Sequence, residues 1–172
     1  MNYYLNRYSV REPLIAQEST KDLGIVVVIP CCNEPDLTSS LQSLYNCEQP
    51  KCSVEVIVVI NASEKAEATV LKQNAKSLIE AEEWKANNIG EIASCLAMTF
   101  HFIEENELPK KHAGVGLARK IGMDEAVRRF ESVNNHQGII ACFDADARCE
   151  TNYLVGLENH FKGHVNSPAC SI

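Results

Sequence analysis

Ile25-Val26-Val27-Val28-Ile29 is β-branched at every position, and a run of that kind has no polar face to turn toward water. It suits a strand covered on both sides, as in the interior of a parallel sheet. The run stops at Pro30, which marks the expected end of the strand. Three more apolar runs of strand length follow, at 54–60, 99–103 and 138–143. Helical periodicity fills the intervals. Asn33-Glu34-Pro35-Asp36 reads as a helix start, with Leu37, Leu41, Leu44 and Tyr45 on one face behind it. Ser63 is placed to cap a second helix through Ala66, Val70 and Leu71 toward Ile79. The stretch 80–97 reads as two helical pieces, broken at Asn87-Asn88-Ile89-Gly90. Residues 104–111 read as a charged loop around Pro109. A third helix from Ala113 carries Val115, Ala118, Gly122 and Ala126, widened by Ile121, Val127 and Phe130, and a closing helix spans 152–161.

Strands alternating with helices predict an α/β fold, a mainly parallel sheet with helices on both faces. Right-handed crossovers then bring the carboxyl ends of all four strands to one edge, where open α/β sheets bind ligands. The residues collected there are 30–34, 61–63, 104–116 and 144–148. The fourth strand ends in Asp144-Ala145-Asp146, two carboxylates one residue apart. Such hard oxygen ligands suit Mg²⁺ or Mn²⁺ held together with substrate phosphates. An aspartate after a strand is also an ordinary turn residue, so the pair does not decide the matter by itself.

The 172 residues fit one domain, with 1–22 as an N-terminal arm. Hydrophobic residues at 45% and charged residues at 23% fit a packed core rather than a disordered chain. A net charge of −7 argues against a nucleic-acid partner, which calls for a basic patch. The eight cysteines form no CxxC, and Cys31 and Cys142 lie inside apolar runs, so they read as small hydrophobes with reduced thiols. No secretory h-region and no run of membrane-spanning length is present in the sequence, so a cytoplasmic location is expected, or membrane association within a longer protein. Neither GxGxxG nor GxxxxGK[ST] follows the first strand. The device left for phosphate is the carboxylate pair with a metal, beside Lys110, Lys111, His112 and Arg119.

Four blocks, in order, resemble the family 2 glycosyltransferases of GT-A fold. They are Ile25 to Glu34 (strand, Pro30, two residues, Asn33-Glu34), Asn61-Ala62-Ser63, the set Gly114, Ala118, Arg119 and Gly122, and Asp144-Ala145-Asp146 as a DxD signature. The resemblance covers residues 24–165. It implies a Rossmann-like nucleotide-sugar-binding fold in which Asp146 ligates Mn²⁺ or Mg²⁺ and Asp144 meets ribose or the metal. Pro30, Asn33, Glu34 and Asn61 line the donor pocket, and Arg119 faces the diphosphate. The implied reaction moves a sugar from a nucleotide diphosphate-sugar donor, with a UDP-sugar favoured, to a glycan, lipid-linked or small-molecule acceptor hydroxyl, with inversion. The sequence departs from the pattern at Cys32, where the family often has an aromatic residue, at Ile60-Asn61 for its aspartates, and at His112 and Lys120 for its asparagines. The family's general base lies in a second half, so the base is expected to be absent and the chain to be a donor-binding fragment. Glu158, His160 and His164 are the late residues to consider, and 169–172 resemble the start of a further strand. A haloacid-dehalogenase-type phosphatase also places DxD after a strand, but Arg148 stands where that class has Thr or Val.

Overall fold

The computed structural model describes residues 2–89, 98–164 and 167–170. Four strands, β1 (Leu23–Cys31), β2 (Ser53–Ser63), β3 (Met98–Leu108) and β4 (Ile139–Cys142), form one sheet in the order β3-β2-β1-β4, with every pairing parallel. Five helices accompany them: α1 (Tyr3–Tyr8), α2 (Leu37–Tyr45), α3 (Ala68–Ile89), α4 (Val115–Ser132) and α5 (Tyr153–Gly163). The α/β architecture expected from the alternation is the one present.

The chain steps outward from β1 to β2 to β3, then returns across both to place β4 on the far side of β1. Right-handed crossovers that travel in opposite directions put their helices on opposite faces. Accordingly Ile25, Val27, Ile29, Val54, Val56 and Val58 pack with Leu37, Leu41 and Leu44 of α2, Ala81 of α3, and Leu154 and Leu157 of α5. Val26, Val28, Ile57 and Val59 pack on the other face, with Ala118, Ile121, Ala126 and Phe130 of α4. The register pairs Val27 with Val56 and Val28 with Ile57, so neighbouring strands point matched side chains into the same layer. Gly122 lets α4 approach: a Cβ there would lie 2.4 Å from Val28 Cγ1 and 3.2 Å from Val59 Cγ2.

Several local expectations are corrected. β1 runs through Pro30 to Cys31. The carbonyl of Val28 accepts from Phe143 N at 3.0 Å, so residues of that parity face β4. Pro30 shares the parity, and β4 is paired only up to Cys142, so the missing N–H costs no ladder bond. β3 continues to Leu108, and most of the expected charged loop is therefore strand. Pairing with β2 persists through Glu104 and Glu105, and an edge strand can turn acids to solvent. The N-cap of α2 is Asp36, not Asn33, and α3 begins at Ala68 rather than behind Ser63, whose Oγ accepts from Lys65 N at 3.2 Å in a local turn. The first helical piece of 80–97 continues α3 to Ile89, through the expected break at Asn87 and Asn88. The second piece lies outside the described residues. Val115 opens α4 and is 55% exposed, ahead of the turn that meets the sheet, while Val127 is half-buried.

Residues ahead of β1 lie along α4. Tyr4 Oη and Val10 N donate to Asp124 at 2.9 and 3.1 Å, and Leu14 N donates to Glu125 at 3.1 Å. Arg128 and Arg129 donate to the Arg11 and Gln17 carbonyls. Asp124, Glu125 and Arg129 are buried beneath this strap. Among the described residues, no helix is long and apolar enough to cross a membrane.

Candidate functional site

The reversal of strand order falls between β1 and β4. It lies at the carboxyl edge of the sheet, where open α/β sheets hold ligands. Cys31 to Glu34 continues from β1 and Asp144 to Asp146 from β4.

On the β1 side, Cys32 and Asn33 are exposed and Glu34 is half-buried. Asn33 adopts φ 56°, a left-handed conformation that asparagine tolerates better than most residues. It is held there from α3. Asn33 N donates to Asn74 Oδ1 at 2.8 Å, and the Glu34 carbonyl accepts from Ser77 Oγ at 2.5 Å. Asn74 is fully buried, and its Nδ2 donates to the Asn61 carbonyl at 3.0 Å and Asn106 Oδ1 at 2.9 Å. One amide therefore joins the ends of β1, β2 and β3. Asn61 is 1% exposed, and its Nδ2 donates to the Cys31 carbonyl at 2.9 Å. Its Oδ1 is buried without a partner among the described residues, the one unspent acceptor at this end of the sheet core. Burial pushes the neighbouring Cys31 thiol up to about 12, helped by the Glu34 charge, so it stays protonated and inert.

On the β4 side, Asp144 and Asp146 are both exposed, while Ala145 between them is buried. The turn closes on Ala147 N donating to the Asp144 carbonyl at 3.0 Å. Alternation sends the alanine inward and both carboxylates outward. A stripe on α2 holds the chain that follows. Ser40 Oγ, fully buried, lies 2.6 Å from both the Ala145 and Ala147 carbonyls and shares its proton between them. Cys149 N donates to Ser43 Oγ at 3.3 Å. Arg148 pairs with Asp36 at 2.7 Å, and the Asp36 carboxyl is lowered by its Ser39 hydrogen bond and by Arg148.

Arg119 arrives from the second turn of α4 and sets Nη2 2.9 Å from Asp144 Oδ1. The sequence-predicted residues Arg119 and Asp144 are thus joined directly. Pro30, Asn33 and Glu34 stand on the β1 side, and Asn61 lies beneath them as a buried tie. Lys110, Lys111 and His112 are exposed on the loop leading into α4. Lys120 turns away, to Asp124 at 2.5 Å and the Tyr8 carbonyl at 2.9 Å. Among the described residues no cluster of three or more His, Cys, Asp or Glu forms a metal cage. The two exposed carboxylates are the groups that could hold a Mg²⁺-like ion, with waters and phosphates completing its shell.

The late candidates for a base are engaged elsewhere. Glu158 is buried, accepts from Lys51 N at 3.1 and 3.2 Å, and pairs with Lys162 at 3.0 Å. Burial acts to raise its pKa, but Lys162 and the Lys51 amide outweigh it and leave it lowered. Lys51 precedes β2, so this cluster sits at the edge opposite the carboxylate turn. His160 and His164 stack on each other, 4.7 Å apart, toward the end of α5. Sequence reasoning missed Ser40, Ser43, Asn74 and Ser77. The signal available was small polar residues on the inward faces of helices.

No protein-family model matches this chain, and no curated protein matches it.

Proposed function

We propose that this edge binds a nucleoside diphosphate sugar, and that the chain is the donor-binding part of a family 2-type, GT-A-fold glycosyltransferase that uses Mn²⁺ or Mg²⁺. The observation that carries the reading is the Arg119–Asp144 contact at the switch point of the sheet, with Asp146 open beside it. In this reading Asn33 and Glu34, on a backbone fixed by Asn74 and Ser77, form one wall of the nucleoside pocket. Asn61 ties β2 to the Cys31 carbonyl beneath that wall. Arg119 exchanges Asp144 for a phosphate oxygen, a charge-assisted contact its fork geometry suits. Asp144 and Asp146 would hold the divalent ion. Such an ion, when bound, neutralises charge on the departing diphosphate.

Transfer to a glycan, lipid-linked or small-molecule hydroxyl with inversion needs a general base. Glu158 is committed to Lys51 and Lys162 and is not offered as that base, so the reading concerns donor binding alone. Calorimetry with UDP- and GDP-sugars in Mn²⁺ and in EDTA tests the reading. Binding that is much tighter with Mn²⁺ is expected. Equal affinity under both conditions, or none for any nucleotide, overturns it.

A further inference from the structure

The contacts of α2 with the segment behind Asp146 form a zipper whose last tooth is a pair of thiols. Ser40 holds the Ala145 and Ala147 carbonyls, Ser43 holds Cys149 N, and Cys47, one residue past the C-cap of α2, meets Cys149 sulfur to sulfur at 3.6 Å. Positions 40, 43 and 47 share one helical face. The two backbones are tied just beyond the thiols, where Glu48 N donates to the Thr151 carbonyl at 2.7 Å. Among the described cysteines this is the pair whose sulfurs meet. Of the others, Cys31 is buried, Cys52 is half-buried, and Cys32, Cys142 and Cys170 are exposed.

We propose that Cys47 and Cys149 are a redox-responsive dithiol, closed by a peroxide-class oxidant into a disulfide that staples the segment carrying Asp144 and Asp146 to α2. Closing the bond requires the sulfurs to approach by about 1.5 Å, to a bond length near ~2.05 Å, a movement within reach of side-chain rotation between two backbones already side by side. Access divides the roles. Cys149 is half-buried and reachable, whereas Cys47 is 5% exposed. The Cys149 thiolate attacks one peroxide oxygen, giving a sulfenic acid and releasing hydroxide, which takes up the thiol proton as water. The Cys47 sulfur then attacks the sulfenic sulfur, and the hydroxyl leaves with the Cys47 proton as a second water. Two thiols and one hydrogen peroxide give one disulfide and two waters, the thiols losing the two electrons that the peroxide gains. A dithiol reductant reverses the closure by exchange.

The staple fixes the far end of a segment whose near end is the carboxylate turn, so oxidation should stiffen the turn. That the turn is a ligand site rests on the donor-binding reading above; the closure itself does not. The test uses the full chain, reduced and then treated with hydrogen peroxide. Non-reducing peptide mapping should yield one linkage, Cys47 to Cys149, with two thiols lost to a thiol reagent and regained with dithiothreitol. Amide exchange over 144–151 should slow at least several-fold on oxidation. It should not slow in Cys149→Ser, while Cys170→Ser should behave as the unsubstituted chain. Linkages scattered over other cysteines or between molecules overturn the proposal, as does a mapped disulfide without slowed exchange. The mapping on the unsubstituted chain decides the linkage even if Cys149→Ser does not fold. Failure of Mn²⁺-dependent nucleotide binding in both redox states, with linkage and exchange as expected, counts against the donor-binding reading alone.

Discussion

Arg119→Ala separates a structural role from a binding role. In the structure the guanidinium makes one ion pair, to Asp144 at 2.9 Å, with the two side chains 35% and 66% exposed. An exposed pair of this kind contributes roughly 0.2–1 kcal/mol, and alanine is a slightly better helix former than arginine, which offsets part of the loss. The expected stability change is therefore below about 1 kcal/mol, a melting shift of no more than about 2–4 °C for a chain of this size. On the proposed reading, binding a diphosphate exchanges that pair for a charge-assisted contact of about 1.5–3 kcal/mol. Subtracting the pair given up leaves a net loss on substitution of roughly 0.5–2.8 kcal/mol, or roughly 2- to 100-fold in Kd. Calorimetry with UDP and Mn²⁺, run beside thermal melts, measures both quantities. Arg119→Lys keeps the charge without the planar fork and should fall between the two. An unchanged Kd for Arg119→Ala, or a melting loss much larger than a few degrees, refutes the reasoning.

Asp146 is exposed and makes no side-chain hydrogen bond or ion pair among the described residues, so Asp146→Ala should leave the melting temperature within a degree or two while, on the proposed reading, abolishing the Mn²⁺ enhancement of nucleotide binding. Arg129 forks onto Glu55 at 2.6 and 2.8 Å with both side chains buried, so Arg129→Met strands a carboxylate and should cost about 3–5 kcal/mol by urea unfolding, much of it regained in Glu55→Gln/Arg129→Met. His101 Nε2 lies 3.7 Å from the same carboxylate, which by itself would favour the imidazolium, yet Arg129 already neutralises Glu55. Burial, then the Arg129 and Lys85 charges, push His101 from 6.5 down to about 4. The unfolded chain then binds the extra proton, so stability is fully present above about pH 6.5 and falls as pH drops toward about 4, by up to about 3 kcal/mol. Urea melts at several pH values should show a flatter profile for His101→Gln; an unchanged profile rejects the assignment.

How much of this was legible depends on whether a residue's role is set by its neighbours in sequence or by a distant segment. The sheet was legible because residues 25–29 and 54–60 carry no polar face, and strands alternating with helices leave few arrangements open. That the carboxyl ends of the strands share one edge, with Asp144 at it, followed from the same rule, whereas the contact of Arg119 with Asp144 did not. The length of β3 did not, since Glu104 to Glu107 look like loop until the β2 ladder beside them is known. Asn33 has the composition of a helix cap, but its position is fixed by Asn74, 41 residues away. Ser40 and Ser43 are unremarkable helix serines until the chain behind Asp146 lies on them. The buried acids of α4 hide the same way, because backbone groups of residues 10–14 satisfy them.

Charge at the edge supplies an argument for metal dependence that does not use the DxD pattern. Four carboxylates border this edge: Glu34, Asp36, Asp144 and Asp146. Arg148 answers Asp36 and Arg119 answers Asp144, while Glu34 and Asp146 have no ion-pair partner among the described residues. Lys120, one residue from Arg119, could have added a third cation, but Asp124 and the Tyr8 carbonyl hold it on the far side of α4. These four carboxylates and two arginines together are net negative, in a chain that is itself at −7. A diphosphate approaching an unanswered carboxylate to about 6 Å meets a repulsion of about 1–3 kcal/mol at effective dielectrics between water and a protein surface. If Arg119 leaves Asp144 for the phosphate, a third carboxylate is uncovered. A divalent cation between these carboxylates and the phosphates reverses the sign of every one of those terms. On the proposed reading the edge is thus a poor anion site alone and a good one with Mn²⁺, and raising ionic strength in EDTA should recover only a small part of the binding that the metal restores.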